Sequence, residues 1–92
     1  MTVKDVIEIL GLSNNDFKTN GKMYIYEIEN SDAFSHFVNL LDESDEFEED
    51  LDAQDINLFG NTLVFIDEMG EIECTLTADF ENDEYILEIT EV

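Results

Sequence analysis

The sequence predicts a single α+β domain: a helix-strand-helix unit, extended by a third acidic helix or an acidic loop, followed by a four-stranded antiparallel β-meander with the helices on one face of the sheet. Three observations predict it. Two apolar stripes at helical spacing occupy the first half of the chain, and an unbroken period-two alternation occupies the second. The length, 92 residues, leaves room for one core only, so residues 1–92 are read as one domain.

Val3, Val6, Ile7 and Leu10 stand at i, i+3, i+4 and i+7, with Thr2 as N-cap and Asp5 as the acid of a capping box, and Gly11 ends that helix. Residues 13–21 read as a loop. Met23 to Glu29 reads as a strand from its Tyr and Ile content. Asn30, Ser31 and Asp32 are all good caps for a second helix, whose stripe is Phe34, Phe37, Val38 and Leu41. Eight acids crowd the eleven residues from Asp42 to Asp52. Ser44 is placed to cap a third helix there, docked through Phe47 and Leu51, and an acidic loop is the alternative.

From Asp55 the period becomes two. Ile56 to Phe59 and Thr62 to Ile66 flank Gly60-Asn61, which reads as a two-residue hairpin turn. Ile72, Cys74, Leu76, Ala78 and Phe80 alternate with Glu71, Glu73, Thr75, Thr77 and Asp79, so one face is core and the other meets water. Met69-Gly70 turns the chain into that strand, and Glu81 to Glu84 turns it out toward Tyr85, Leu87 and Ile89.

Charge is the most informative property. Twenty-five acids face three bases, Lys4, Lys18 and Lys22, for a formal charge of -22. Residues 23–92 hold 22 acids and no Lys or Arg, where average usage would supply about eight bases. Solubility asks a small domain for a net charge of only about 2–8, and more adds self-repulsion. Exclusion of bases on this scale points to a surface selected to meet a strongly basic partner.

Catalytic and metal chemistry lack their usual residues. The chain has no Arg, no Trp, one His and one Cys, and no glycine-rich phosphate loop. His36 falls off the apolar stripe of the second helix and reads as an exposed bystander; Cys74 falls in the inward set of its strand and reads as core. The run starting at Asp50 opens like a calcium loop, but its fifth position is Gln54, its sixth is Asp55 where glycine is needed, and its twelfth is Asn61. The expectation is a non-enzyme with no cofactor and no metal. The first ten residues carry Lys4, Asp5 and Glu8, so neither a signal peptide nor a membrane span is expected there, and an unpaired cysteine suits the cytoplasm.

Alternate residues on a strand lie about 6.6–6.8 Å apart, and helix neighbours at i, i+3 or i+4 about 5–6 Å, so carboxylates so placed imitate a phosphate backbone. Two groups are candidates for partner binding. One is Asp42, Glu43, Asp45, Glu46, Glu48, Glu49, Asp50 and Asp52; the other is the outer row of Glu71, Glu73, Asp79 and Glu88. The expected partner is a basic nucleic-acid-binding protein, a nuclease or other DNA-processing enzyme, bound by a monomer or weak homodimer that itself contacts neither nucleic acid nor membrane.

The small size, the acidity, the lone Cys74 and the missing catalytic signature resemble the DNA-mimic inhibitors of phages and mobile elements, a group that includes anti-CRISPR proteins, anti-restriction proteins and uracil-DNA glycosylase inhibitors. The resemblance covers the whole chain in composition and architecture. The order of elements is also similar to that of the uracil-DNA glycosylase inhibitors, where a Glu-Ser-Ile element follows the first strand. Here that place reads Glu27-Ile28-Glu29-Asn30-Ser31, so the motif is not reproduced and no functional residue carries over. The resemblance implies inhibition of a bacterial defence or DNA-processing enzyme, a CRISPR effector nuclease foremost. An immunity protein or antitoxin against a basic toxin would share the same electrostatics.

Overall fold

In the computed structural model, residues 1–92 form two helices and seven antiparallel strands, an α+β fold. Helix α1 spans Val3–Ile9 and α2 spans Ser31–Glu43; the strands are β1 (Lys18–Asn20), β2 (Met23–Ile28), β3 (Phe47–Glu49), β4 (Asp55–Ile56), β5 (Gly60–Asp67), β6 (Ile72–Asp79) and β7 (Glu84–Glu91). Their order across the sheet is β1-β2-β7-β6-β5-β3, with β4 also on β5. No helix is long and apolar enough to cross a membrane.

Both helices start where their caps stand. The Thr2 hydroxyl accepts from the Asp5 amide at 3.3 Å and the Asp5 carboxylate accepts from the Thr2 amide at 2.8 Å, so two donors that a helix start leaves open are satisfied reciprocally. The Thr2 amide foremost, then the Thr2 side chain, hold the Asp5 carboxyl below its ordinary value. Past Leu10 the chain takes a positive φ of 71° at Gly11, a conformation cheap only for glycine. Asn30 caps α2 by accepting from the Ala33 amide at 2.8 Å.

One core joins these elements. Val3, Val6, Ile7 and Leu10 of the α1 segment and Phe34, Phe37 and Leu41 of α2 pack in one cluster with Phe65, Cys74, Leu76, Leu87 and Ile89 of the sheet. Register explains the membership: Phe65, Cys74, Ile89 and Tyr24 form one row across β5, β6, β7 and β2, and Leu63, Leu76, Leu87 and Tyr26 form the next. Each fully buried Leu or Ile in these rows contributes about 1.5–3 kcal/mol relative to exposure.

The structure corrects five expectations. The four-stranded meander is a seven-stranded sheet: β5, β6 and β7 do follow one another, but β2 pairs with β7 along its whole length and carries β1 outside it. The segment 13–21 is more than a loop, holding a 3-10 turn at Asn14–Asp16, a buried Phe17 and β1. No third helix forms. The α2 helix ends at Glu43, and Phe47 enters the core from β3, which pairs with β5 through Phe47↔Asp67, Glu48↔Ile66 and Glu49↔Phe65; a 3-10 turn at Leu51–Ala53 follows. With only Phe47 and Leu51 apolar, a helix had little to bury, whereas an edge strand buries Phe47 and gains a ladder of backbone bonds.

The fourth correction is the hairpin. Gly60 and Asn61 lie inside β5, and the turn comes earlier, where the Asn57 side chain accepts from the amides of Phe59 (2.8 Å) and Gly60 (3.1 Å). An Asx-type turn has outcompeted the glycine signal. Gly60 serves close approach instead: a Cβ there would collide with the Ala78 carbonyl oxygen. Consequently β4 is only two residues long, pairing Asp55↔Thr62 and Ile56↔Asn61. The fifth is Phe80, which follows β6 rather than ending its buried row and is 45% exposed.

Candidate functional site

The register of the sheet decides which carboxylates share a surface. Directly paired residues point to the same side, so the pairs Glu48↔Ile66, Ile66↔Glu73 and Glu73↔Thr90 set Glu48 and Glu73 in one row on the face opposite the core. The next row holds Val64, Thr75, Glu88, Ile25 and, on the outermost strand, Lys18; the one after it holds Asp55, Thr62, Thr77, Ile86 and Glu27; the last holds Gly60, Asp79 and Glu84. Seven carboxylates thus occupy one outer face. Glu48, Glu73, Glu88 and Glu27 form a diagonal file across it, with a first step of two strand spacings, about 9.6 Å, and then diagonal steps of about 7–8 Å. Between them stand Thr and β-branched apolar residues, half-exposed apart from Val64, which is buried where residues 50–54 bond to β5.

The acidic run of residues 42–52 is spread over several elements. Asp42 and Glu43 are exposed in the last turn of α2, the end of a helix where acids are least favoured. Asp45 and Glu46 are exposed in the turn that follows, where the Glu46 amide donates to Ser44 Oγ at 3.3 Å. Glu48 and Glu49 point to opposite sides of β3, so only Glu48 joins the outer face. Asp50 ties the edge to β5, its amide donating to the Val64 carbonyl at 2.9 Å, and Asp52 is exposed in the 3-10 turn.

Of the expected outer row, Glu73, Asp79 and Glu88 lie together on the face. Glu71 is exposed just before β6 begins. Asp79 is engaged in its own turn: its carboxylate accepts from the Glu81 and Asn82 amides (3.1 and 3.2 Å) and from Asn82 Nδ2 at 2.8 Å. The Asn82 side chain foremost, then the backbone donors, hold its carboxyl below the ordinary value. Glu27, Asp55 and Glu84 were not among the candidates. Glu27 had the right parity within its strand, but its place on this face follows only from the pairing of β2 with β7.

Cations are nearly absent. The single ion pair is Lys18 Nζ to Glu27 Oε1 at 3.9 Å, with both side chains largely exposed, and Lys18 lies on the outermost strand; such a pair is worth little in water. No group of three or more His, Cys, Asp or Glu side chains has an arrangement that could hold a metal ion.

A concavity of about 680 Å³ is lined by Asp5, Glu8, Glu46, Asp67 and Glu68 with Met1, Ile9 and Met69. Its chemistry is again anionic, and no side-chain nucleophile or base accompanies the carboxylates. Asp67 is the one buried charged residue. Its Oδ1 accepts from the amides of Glu71 (2.7 Å) and Ile72 (3.0 Å), closing the turn into β6, while its Oδ2 is buried without a partner. Burial, with the negative charges of Asp67 and Glu73 nearby, pushes the Cys74 thiol up to about 12, so it stays protonated and unreactive at neutral pH. His36 is exposed, its ring 5.9 Å from that of Phe37.

Compared with protein-family models, with curated proteins and with solved structures, the chain matches none.

Proposed function

We propose that this protein is a nucleic-acid mimic that acts by binding and not by catalysis, occupying the basic DNA-binding cleft of a bacterial defence or DNA-processing enzyme. A CRISPR effector nuclease, with its cationic channel and arginine-based motif reader, is the favoured target. The observation that carries the reading is the outer sheet face. Seven carboxylates drawn from five strands stand on it against a single lysine, Lys18 on the outermost strand, which pairs with Glu27.

A rigid array of this kind meets lysines and arginines placed for phosphates without first paying to order itself. The missing bases remove repulsion from such a partner and would speed the encounter through long-range attraction. Glu71, exposed just before β6, adds to the field. The chain itself, at -22, is repelled by nucleic acid.

The test is competition. The chain is immobilised, bacterial proteins are passed over it, and the retained protein is eluted with duplex DNA. Displacement by DNA, together with an affinity that falls steeply between about 0.05 and 0.5 M salt, is the expected result. A partner that holds this chain and its DNA together at full affinity overturns mimicry.

A further inference from the structure

We infer that the β4–β5 turn is a second, apolar contact element, which inserts into an apolar pocket within the cationic surface of a basic protein partner. Ile56, Leu58 and Phe59 are 66%, 91% and 63% exposed, and Phe80 is 45% exposed. They lie together at one end of the sheet. The Phe80 amide donates to the Phe59 carbonyl at 2.9 Å, and Gly60 pairs with Asp79, which joins the two turns.

This end is built to be stiff. The Asn57 side chain accepts from the amides of Phe59 and Gly60, and the Asn57 amide donates to the Gly60 carbonyl at 3.0 Å. A Cβ at Gly60 would collide with the Ala78 carbonyl oxygen, so the strand pairing beneath the turn leaves no room for a side chain there. Leu58 and Phe59 are therefore displayed on a turn that loses little freedom on binding, as interfacial anchors require. An apolar group of this size, left open on a small domain and rimmed by acids, marks an interaction site.

Charge selects the occupant. Asp55 and Asp79 belong to the strands that carry the patch, and Glu81 follows Phe80. A second copy of the chain would bring another -22 against that rim, so self-association through the patch is opposed. A partner with lysines and arginines around an apolar pocket satisfies both components. The inference rests on the proposed function only in requiring a basic partner.

The test places a photo-crosslinking benzophenone side chain at position 59 and, separately, at position 73 in the full chain. Each is irradiated in bacterial lysate with and without duplex DNA. The labelled protein is then purified and its affinity measured for the wild type and for the double variant Leu58→Ser with Phe59→Ser. Position 59 is expected to label apolar residues flanked by Lys and Arg, on the same protein that position 73 labels. The double variant should melt like the wild type and bind about 30-fold more weakly at both low and high salt.

If position 73 labels a basic protein but position 59 labels nothing, or the double variant binds as tightly as the wild type, the apolar contact is overturned and mimicry stands. Labelling of only a second copy by position 59 also overturns it. If position 59 labels a basic protein as expected and DNA suppresses neither crosslink, the apolar contact stands and mimicry falls. If neither position labels a basic protein, both readings fall.

Discussion

Replacing Phe47 with alanine tests whether the acidic edge is anchored to the core or offered to a partner. The ring is only 7% exposed and belongs to the main hydrophobic cluster, although its neighbours Glu46, Glu48 and Glu49 are all exposed. Truncating a buried Phe costs about 3–5 kcal/mol. The strand that carries it has three residues and lies at the sheet edge, where collapse into the space is easiest, so the lower figure applies. For a domain of this length each kcal/mol moves Tm by about 5 °C, which gives a fall of about 15 °C. A far-UV circular dichroism melt at neutral pH reads it directly. Partner affinity, measured well below the variant's Tm, should fall less than it does on neutralising the outer face, because Phe47 points to the core side. A Tm drop under about 5 °C accompanied by lost binding would refute this reasoning and make Phe47 an interface residue. Leu51→Ala is the matched control: this side chain is 70% exposed, and the expected change is within about 0.5 kcal/mol.

Neutralising Glu48, Glu73 and Glu88 together as Gln should weaken partner binding at low salt at least about ten-fold, while neutralising Asp42, Glu43 and Asp45 together should cost much less; equal losses in a titration would show that no face is preferred. Asp67→Ala strands the amides of Glu71 and Ile72 and should cost about 2–3 kcal/mol in chemical denaturation, whereas Asp67→Asn keeps an acceptor for both and should cost less than half as much. Added salt, or a fall in pH from 7 toward about 4.5, should raise Tm by relieving repulsion among the carboxylates. Below that range the trend should reverse. Asp5 and Asp79 have carboxyl groups held below their ordinary 3.8 in the folded chain, so their contributions are present above that value and are lost as pH falls through the lowered ones. A Tm that falls on the first addition of salt contradicts the repulsion argument.

Patterning along the chain was sufficient for the elements whose signals are local. Thr2, Asp5 and Asn30 cap the helices they were expected to cap, the two apolar stripes enter the core, and Ile72, Cys74, Leu76 and Ala78 alternate inward as read. Caps act over three or four residues and side-chain parity over two, so neither needs knowledge of the rest of the molecule. The charge imbalance, and the kind of partner it suggests, are likewise properties of composition.

Pairing is different, because it joins residues far apart in sequence through backbone bonds that carry no signature in the side chains. Nothing in Met23 to Ile28 announced that this strand would lie against β7, and so nothing announced that Glu27 would stand on the face of Glu73 and Glu88. Nor did the density of acids in residues 42–52 show that Phe47 would draw the chain into an edge strand, sending Glu48 to the outer face and Glu49 to the other side. At the β4–β5 turn two local signals competed. The Asn57 side chain prevailed over Gly60-Asn61 because both residues are taken up in pairing with β6, where a side chain at position 60 would collide with the Ala78 carbonyl, and that contact exists only once β5 and β6 have come together. Composition thus made the surface acidic, but only the register of seven strands arranged its charges into an array, since a one-residue slip in any pairing would send that strand's side chains to the opposite face.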